Sequence, residues 1–183
     1  MTNTAVAEIS AEIAPLSPER LRHVFGHYPT GVVIATAFHE GEPVGMSVGS
    51  FTSVSLDPPL IAFMPDRRSS SFPSIRASGS FSINVLGSDQ EAACRSFAKR
   101  GSDKFADLPW TPAKESGSPI LDGVVAWIDC DIERVVEAGD HYIVIGRVLE
   151  LSVASDKSPL LFLQGKYGAF LPREYAAPSA TSA

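Results

Sequence analysis

Three short stretches of this 183-residue chain carry residue types that do chemistry. The first is Gly45-Met46-Ser47-Val48-Gly49, which formally fits the Gly-x-Ser-x-Gly pattern of a hydrolase nucleophile elbow. That elbow needs a strand, a sharp turn and a helix, so that the serine stands exposed at the turn. Here an alternating pattern runs through Ser47 to Asp57-Pro58-Pro59, so a serine hydrolase using Ser47 and His141 is the minor reading. The second stretch is Arg67-Arg68-Ser69-Ser70-Ser71, ahead of a predicted short helix. Hydroxyl and guanidinium groups beside free helix amides make an anion site, and the helix dipole favours a phosphate there. One serine would suffice for helix capping; three serines and two arginines exceed that need. The third stretch is Gly139-Asp140-His141, a turn that sets a histidine at the start of a strand. A histidine there is either a surface residue or one that reaches a pocket mouth, and its position alone leaves both open.

Other chemistry is weaker. His23 and His27 stand four apart on the first predicted helix without an acidic partner, which a surface helix explains as well as a metal site. No Gly-x-Gly-x-x-Gly follows a strand and no P-loop is present, so a nucleotide would bind without a Rossmann unit.

The elements that must position these residues read as follows. At the strand period, Met46, Val48, Val54 and Leu56 share one face of a strand over 44–56, and Ser47, Gly49, Ser53 and Ser55 share the other. Phe51 breaks the polar face, while Ser50 and Thr52 interrupt the apolar one. The double proline ends the strand, because proline donates nothing to a ladder and restricts its predecessor. A hydroxyl-rich, glycine-bearing face suits something polar and flat; a solvent-wetted edge strand is the competing reading.

Before it, Ser17-Pro18-Glu19 opens a helix closed by Gly26, and Val32–Thr36 is a β-branched run. The turn His39–Glu42 joins that run to the 44–56 strand as a hairpin. After it come a buried strand over Leu60–Met64 and a helix over Phe72–Ser78, with Pro73 in its first turn and Gly79 beyond. A half-buried strand through Phe81, Ile83 and Val85 follows, then a capping box at Ser88–Glu91 opening a helix toward Phe97. A loop over 101–112 holds Lys104 and Phe105, and strands are expected over 124–136, 141–151 and 160–167. Residues 1–16 and 172–183 are expected to be disordered tails around one domain, 17–171. Many short strands with few helices predict a mainly β fold, a closed or nearly closed barrel.

The net charge of -6 offers no basic excess for nucleic acid. No apolar run reaches the roughly 20 residues of a membrane helix, and the N-terminus is not patterned as a signal peptide. Cys94 and Cys130 lie in apolar contexts, as buried free thiols of a reducing cytoplasm do.

Three segments together resemble a known family. They are Ser50-Phe51-Thr52-Ser53-Val54-Ser55-Leu56-Asp57-Pro58-Pro59, then Ile75-x-x-Ser78-Gly79-x-Phe81-x-Ile83-Asn84-Val85-Leu86, then Gly139-Asp140-His141-x-x-x-x-Gly146-Arg147-Val148. Supporting pieces are Tyr28-Pro29-Thr30-Gly31-Val32, Asp103-Lys104-Phe105-Ala106, Gly117-Ser118-Pro119-Ile120 and Pro159-Leu160-Leu161-Phe162. Over about residues 18–170 the chain resembles the flavin reductases, the small reductase components of two-component flavin-dependent monooxygenases. It looks closest to those paired with hydroxylases of aromatic compounds, including steroid-derived phenols.

The resemblance implies a Greek-key split β-barrel, a homodimer, FMN or FAD near the dimer interface, and NADH or NADPH as hydride donor. It implies that the flavin ring and ribityl chain lie along Met46, Ser47, Val48, Gly49, Ser50, Ser53 and Ser55, with Thr30 beneath. It further implies a phosphate held by Arg67, Ser69, Ser70 and Ser71, bordered by Lys104 and Phe105. His141 would seat the nicotinamide, with Tyr167 nearby. Reduced flavin would pass to a separate oxygenase; a barrel that binds flavin without turnover, as carrier or sensor, is the alternative. Gly49 departs from the family's larger side chains, which leaves room for a bulkier flavin.

Overall fold

Helix α1 (Pro18–Phe25) starts on Ser17, whose Oγ accepts from the Arg20 N–H, and leads into β1 (Thr30–Gly31), β2 (Val33–His39) and β3 (Glu42–Val48). The computed structural model describes residues 16–99, 101 and 103–173. Next come β4 (Thr52–Leu56), β5 (Pro59–Phe63), α2 (Phe72–Ser78) and β6 (Ser80–Val85). They are followed by α3 (Glu91–Ala98), β7 (Trp110–Pro112) and β8 (Pro119–Leu121). A long ribbon, β9 (Ala126–Ala138) and β10 (His141–Val153), precedes the terminal hairpin β11 (Leu160–Leu163) and β12 (Lys166–Ala169).

Seven strands form one antiparallel sheet in the order β3-β2-β6-β9-β10-β5-β4. Its two edge strands are consecutive in the chain, joined only by residues 49–51. Four residue steps span no more than roughly 14 Å, so the sheet must curl until the end of β3 and the start of β4 come close. The barrel is therefore closed by a covalent link rather than by a ladder, and it is split along that link. Mainly β with short peripheral helices, the fold is the expected split barrel.

The β-branched run does not alternate because β2 is buried on both faces. Val33, Ala35 and Ala37 join Phe63, Phe72, Phe81 and Val144 in one core, while Ile34 joins Leu86, Phe97, Leu121 and Leu160 in another. Asn84, fully buried, accepts from the Leu121 N–H at 2.7 Å and donates to Thr36 Oγ1 at 3.0 Å, tying the β7–β8 hairpin to the sheet. The His39–Glu42 turn forms as expected: Glu40 and Gly41, both at positive φ, make the primed two-residue loop that matches strand twist.

Five expectations need correction. The strand through Phe81, Ile83 and Val85 is not half-buried: Ser82 and Asn84 between them are fully buried as well. The strand over 44–56 is two strands, because Gly49-Ser50-Phe51 breaks pairing and resets the alternation; Val54 is 51% and Leu56 93% exposed. The 160–167 strand is the β11–β12 hairpin, turned at Gln164 and Gly165. The capping box does not form: Gln90 occupies the N-cap, its Oε1 accepts from the Gly87 N–H, and Asp89 pairs with Lys157 at 2.7 Å. The loop over 101–112 ends in β7. The expected tails, apart from residues 16, 172 and 173, lie outside the described residues.

Candidate functional site

Where the barrel is split, a cleft of about 830 Å³ opens between the 46–50 segment, residues 64–66 and the start of β10. Thr30, Met46, Ser47, Val48, Gly49, Ser50 and His141 line it, together with Phe25, Met64, Pro65, Asp66, Ile143 and Phe162. Ser50 holds the split in place: its Oγ accepts from the Met64 N–H at 2.9 Å and donates to the Met64 carbonyl at 3.1 Å. A Cβ on Gly49 would stand 2.9 Å from Thr30 Oγ1. The space that the glycine was expected to free for a bulkier flavin is therefore taken by the Thr30 hydroxyl.

His141 reaches this cleft because a backbone bridge fixes the start of β10. The Tyr142 N–H donates to the Pro65 carbonyl and the Arg67 N–H to the Asp140 carbonyl, each at 2.9 Å. The His141 Nδ1–H donates to Asp140 Oδ1 at 2.7 Å, which leaves Nε2 without a partner among the described residues. The same bond holds the Asp140 carboxyl below its usual value. Asp66 is clamped by the Arg68 guanidinium at 2.7 and 3.1 Å, and those bonds hold it well below the carboxylate range.

A second cleft of about 250 Å³ lies beyond Met46 and is lined by Gly45, Ser70, Ser71, Ser74, Lys104 and Phe105. Lys104 Nζ donates to the Gly45 carbonyl at 2.9 Å and to Ser71 Oγ at 3.0 Å; Asp103 also lines the cleft, its Oδ1 accepting from the Phe105 N–H, and no carboxylate among the described residues is within ion-pair distance of the ammonium. Burial lowers its pKa from the ordinary lysine value. A half-buried ammonium with only neutral partners favours an arriving anion. Ser69 sits between the two clefts. Its Oγ donates to Met46 Sδ at 3.6 Å and accepts from the Ser71 and Phe72 N–H groups at 3.3 and 3.2 Å, bracing the entry to α2, whose N-cap residue is Ser71.

Behind Thr30, Ser47 and Gly49, an annex of about 130 Å³ ends on Cys94 and Tyr167. Tyr167 Oη lies 3.3 Å from Cys94 Sγ, and the Arg95 guanidinium is 4.8 Å from its ring centre. The Cys94 contact, then burial, push the Tyr167 hydroxyl up to about 12, so it stays a neutral phenol at physiological pH.

Three of the sequence candidates lie apart from these clefts. Arg67 turns to the other side of the bridge, against Glu137 at 3.5 Å and over the Tyr142 ring. Ser53 and Ser55 lie on the edge strand β4. Residue-by-residue reading missed Met64, Pro65, Asp66 and Phe162, which enter the cleft only through strand pairing. Ser47 is no nucleophile elbow. It lies within β3, in register with Ile34, and no helix follows it.

A curled antiparallel barrel, split along a seam of hydroxyls and bare backbone with a cationic cleft at one end, is the architecture of a flavin-using oxidoreductase. The NADH:FAD oxidoreductase SgcE6 of Streptomyces globisporus has this fold, with a TM-score of 0.80 and 38% identity over 86% of this chain and 96% of its own. SgcE6 has also been solved in complex with NAD and FAD fragments. Residues 25–170 match the flavin reductase like domain, and the chain belongs to that family. It is 52% identical over 168 residues to a flavin reductase of Pseudomonas putida, covering 90% of this chain and 98% of that one. It is 44% identical over 157 residues to the reductase subunit HsaB of a flavin-dependent monooxygenase from Rhodococcus jostii, covering 86% of this chain and 80% of the other.

Proposed function

We propose that the chain transfers a hydride from NADH, or NADPH, to FMN or FAD and supplies reduced flavin to a separate oxygenase component. The observation that carries this reading is the pairing of the split-barrel cleft with the Lys104 cleft next to it. One suits a flat polar ring and the other a phosphate, the two ends of a flavin nucleotide. The flavin, when bound, supplies the electron-accepting chemistry.

The protein's part is then positioning. Thr30 and the 46–50 backbone face the ring, Lys104, Ser70 and Ser71 take the phosphate, and Phe105 walls that cleft. His141, oriented by Asp140, seats the nicotinamide through Nε2, and Tyr167 backs the annex. No side chain in the cleft is asked to move a proton for turnover to proceed.

An oxygenase partner is supported by the Rhodococcus jostii relative, which serves a flavin-dependent monooxygenase. That this oxygenase acts on aromatic compounds rests on the motif resemblance. A homodimer is supported by β10, which pairs with β5 only over Val144–Arg147 and then carries exposed Leu149, Leu151 and Val153 on an unpaired edge. Two buried free thiols, Cys94 and Cys130, fit a reducing cytoplasm. Among the described residues no helix is long and apolar enough to cross a membrane.

Anaerobic absorbance at the flavin band tests the reading. Adding FMN or FAD and then NADH or NADPH should bleach the band and identify both preferences. Tight flavin binding without bleaching would leave a carrier or sensor.

A further inference from the structure

We infer that Arg95, on α3, is a positioning residue for the main cleft: acting through Tyr167, it sets the Phe162 ring that walls the cleft. The inference rests on reading that cleft as the flavin site.

The connection runs through paired side chains of the small sheet β1-β11-β12. Thr30 stands opposite Phe162, and Phe162 opposite Tyr167, so the three side chains form a row on one face of the sheet. The Phe162 and Tyr167 rings lie 5.1 Å apart at 59°. Thr30 and Phe162 both line the main cleft, and all three residues line the annex behind it. Arg95 closes the row at its outer end, its Cζ 4.8 Å from the Tyr167 ring centre.

Tyr167 needs such a hold, because its strand β12 is an edge strand paired only with β11. Helix α3 grips the ring at two points: Cys94 Sγ meets the hydroxyl at 3.3 Å, and the Arg95 guanidinium covers a face. The guanidinium is aimed by Glu91, one helical turn earlier, whose Oε1 accepts from the Arg95 Nε at 2.7 Å. Arg95 is exposed and Glu91 half-exposed, and an ion pair in that setting adds little to stability. Its effect is one of direction. A planar cation held over an aromatic face is attracted by the ring quadrupole and fixes where the ring lies.

Phe162 packs on the ring so fixed and, 37% exposed, also faces the cleft, where it is one of two phenyl rings in the lining. A flat heterocycle bound there gains from an aromatic wall, and the gain depends on the angle of that wall. Arg95 itself lines neither the cleft nor the annex; it reaches the bound ring through two intervening side chains.

The test is a fluorescence titration of the full chain, without NADH, using the tighter-binding of FMN and FAD. Arg95→Ala should weaken flavin binding about threefold, the loss expected for one exposed cation–aromatic contact. Arg95→Lys, which keeps a cation over the ring, should regain most of that loss. In a Phe162→Leu background Arg95→Ala should change flavin affinity no further, because the ring it acts through is gone. In steady-state turnover the loss should appear in the Michaelis constant for flavin, with kcat unchanged. A role in helix stability alone would lower the urea midpoint and leave these constants in place. Wild-type flavin affinity in Arg95→Ala, no recovery in Arg95→Lys, or an equal loss in the Phe162→Leu background overturns the inference. A chain that bound flavin without bleaching it would overturn the reductase reading alone; one that bound neither flavin would end both.

Discussion

A methyl group on Gly49 would stand 2.9 Å from Thr30 Oγ1, closer than unbonded atoms tolerate. The two residues are therefore one unit of the cleft wall: the glycine exists so that the threonine hydroxyl can lie against the backbone. Gly49→Ala should force Thr30 to another rotamer and weaken flavin binding about tenfold. In a Thr30→Ala background the same change should cost much less, giving a coupling of about 1 kcal/mol. Flavin fluorescence titrations of the four proteins measure this cycle. Equal losses in both backgrounds would mean that the Gly49 methyl acts on the flavin directly.

Lys104 should distinguish flavins by their phosphate. Lys104→Met should weaken FMN about tenfold, as loss of a partly exposed charge-assisted bond does, and leave riboflavin unchanged. The pH dependence has a definite sign. Burial favours the neutral amine, so protonated Lys104 is lost at a lower pH than an ordinary lysine. The ratio of FMN to riboflavin affinity should therefore fall on the alkaline side before the free-lysine pKa of about 10.4. A constant ratio up to that pH would remove Lys104 from the phosphate site.

Where local chemistry decides the structure, the sequence was legible. Ser17 and Gly26 bound α1, Pro73 and Gly79 bound α2, and Gly41 and Gly139 turn their hairpins. The break at Gly49-Ser50-Phe51 left a trace in the sequence, the interruptions at Ser50, Phe51 and Thr52, but the pattern does not say that pairing ends there. The break is made by distant partners: β4 pairs with β5, and the Ser50 hydroxyl is drawn to Met64. The capping box at Ser88–Glu91 lost to other partners: the Ser88 N–H donates to the Ser158 carbonyl 70 residues away, and the Glu91 carboxylate takes Arg95. The cleft shows the same division. Residues of chemical type, such as His141 and Lys104, announce themselves, whereas Met64, Pro65 and Phe162 become lining only once the strands have paired.

His141→Ala should raise the Michaelis constant for NADH more than it slows hydride transfer, since its role is to seat a substrate. Asp140→Asn keeps the size of the side chain but removes the charge that orients the ring. It should raise the same constant by a smaller factor and leave flavin affinity unchanged. Stopped-flow reduction at several NADH concentrations separates binding from transfer. An unchanged constant in His141→Ala would end the role assigned to it.

Asp66 predicts the acid side of the stability curve. Its folded carboxyl is held below the unfolded value, chiefly by bonds from Arg68, so the unfolded chain takes up the proton first. The stabilisation is present above the unfolded pKa of about 3.9 and fades as pH falls below it. Asp66→Asn should lower stability at pH 7 and flatten the decline below about pH 4, as read by urea unfolding across pH. An acid limb as steep as that of the wild type would place the sensitivity elsewhere.

The unpaired edge of β10 predicts the assembly. Leu151 is 61% and Val153 73% exposed, on a strand segment that nothing covers along that side among the described residues. An apolar edge with open backbone groups is a template for pairing, and a soluble chain blunts it or covers it. A second copy of the chain covers it in the proposed homodimer. Leu151→Asp sets a charge in that seam while sitting outside both cores. It should convert the dimer to a folded monomer in sedimentation equilibrium, with circular dichroism unchanged. A wild-type chain that sediments as a monomer, or a variant that remains dimeric, would move the interface off this edge.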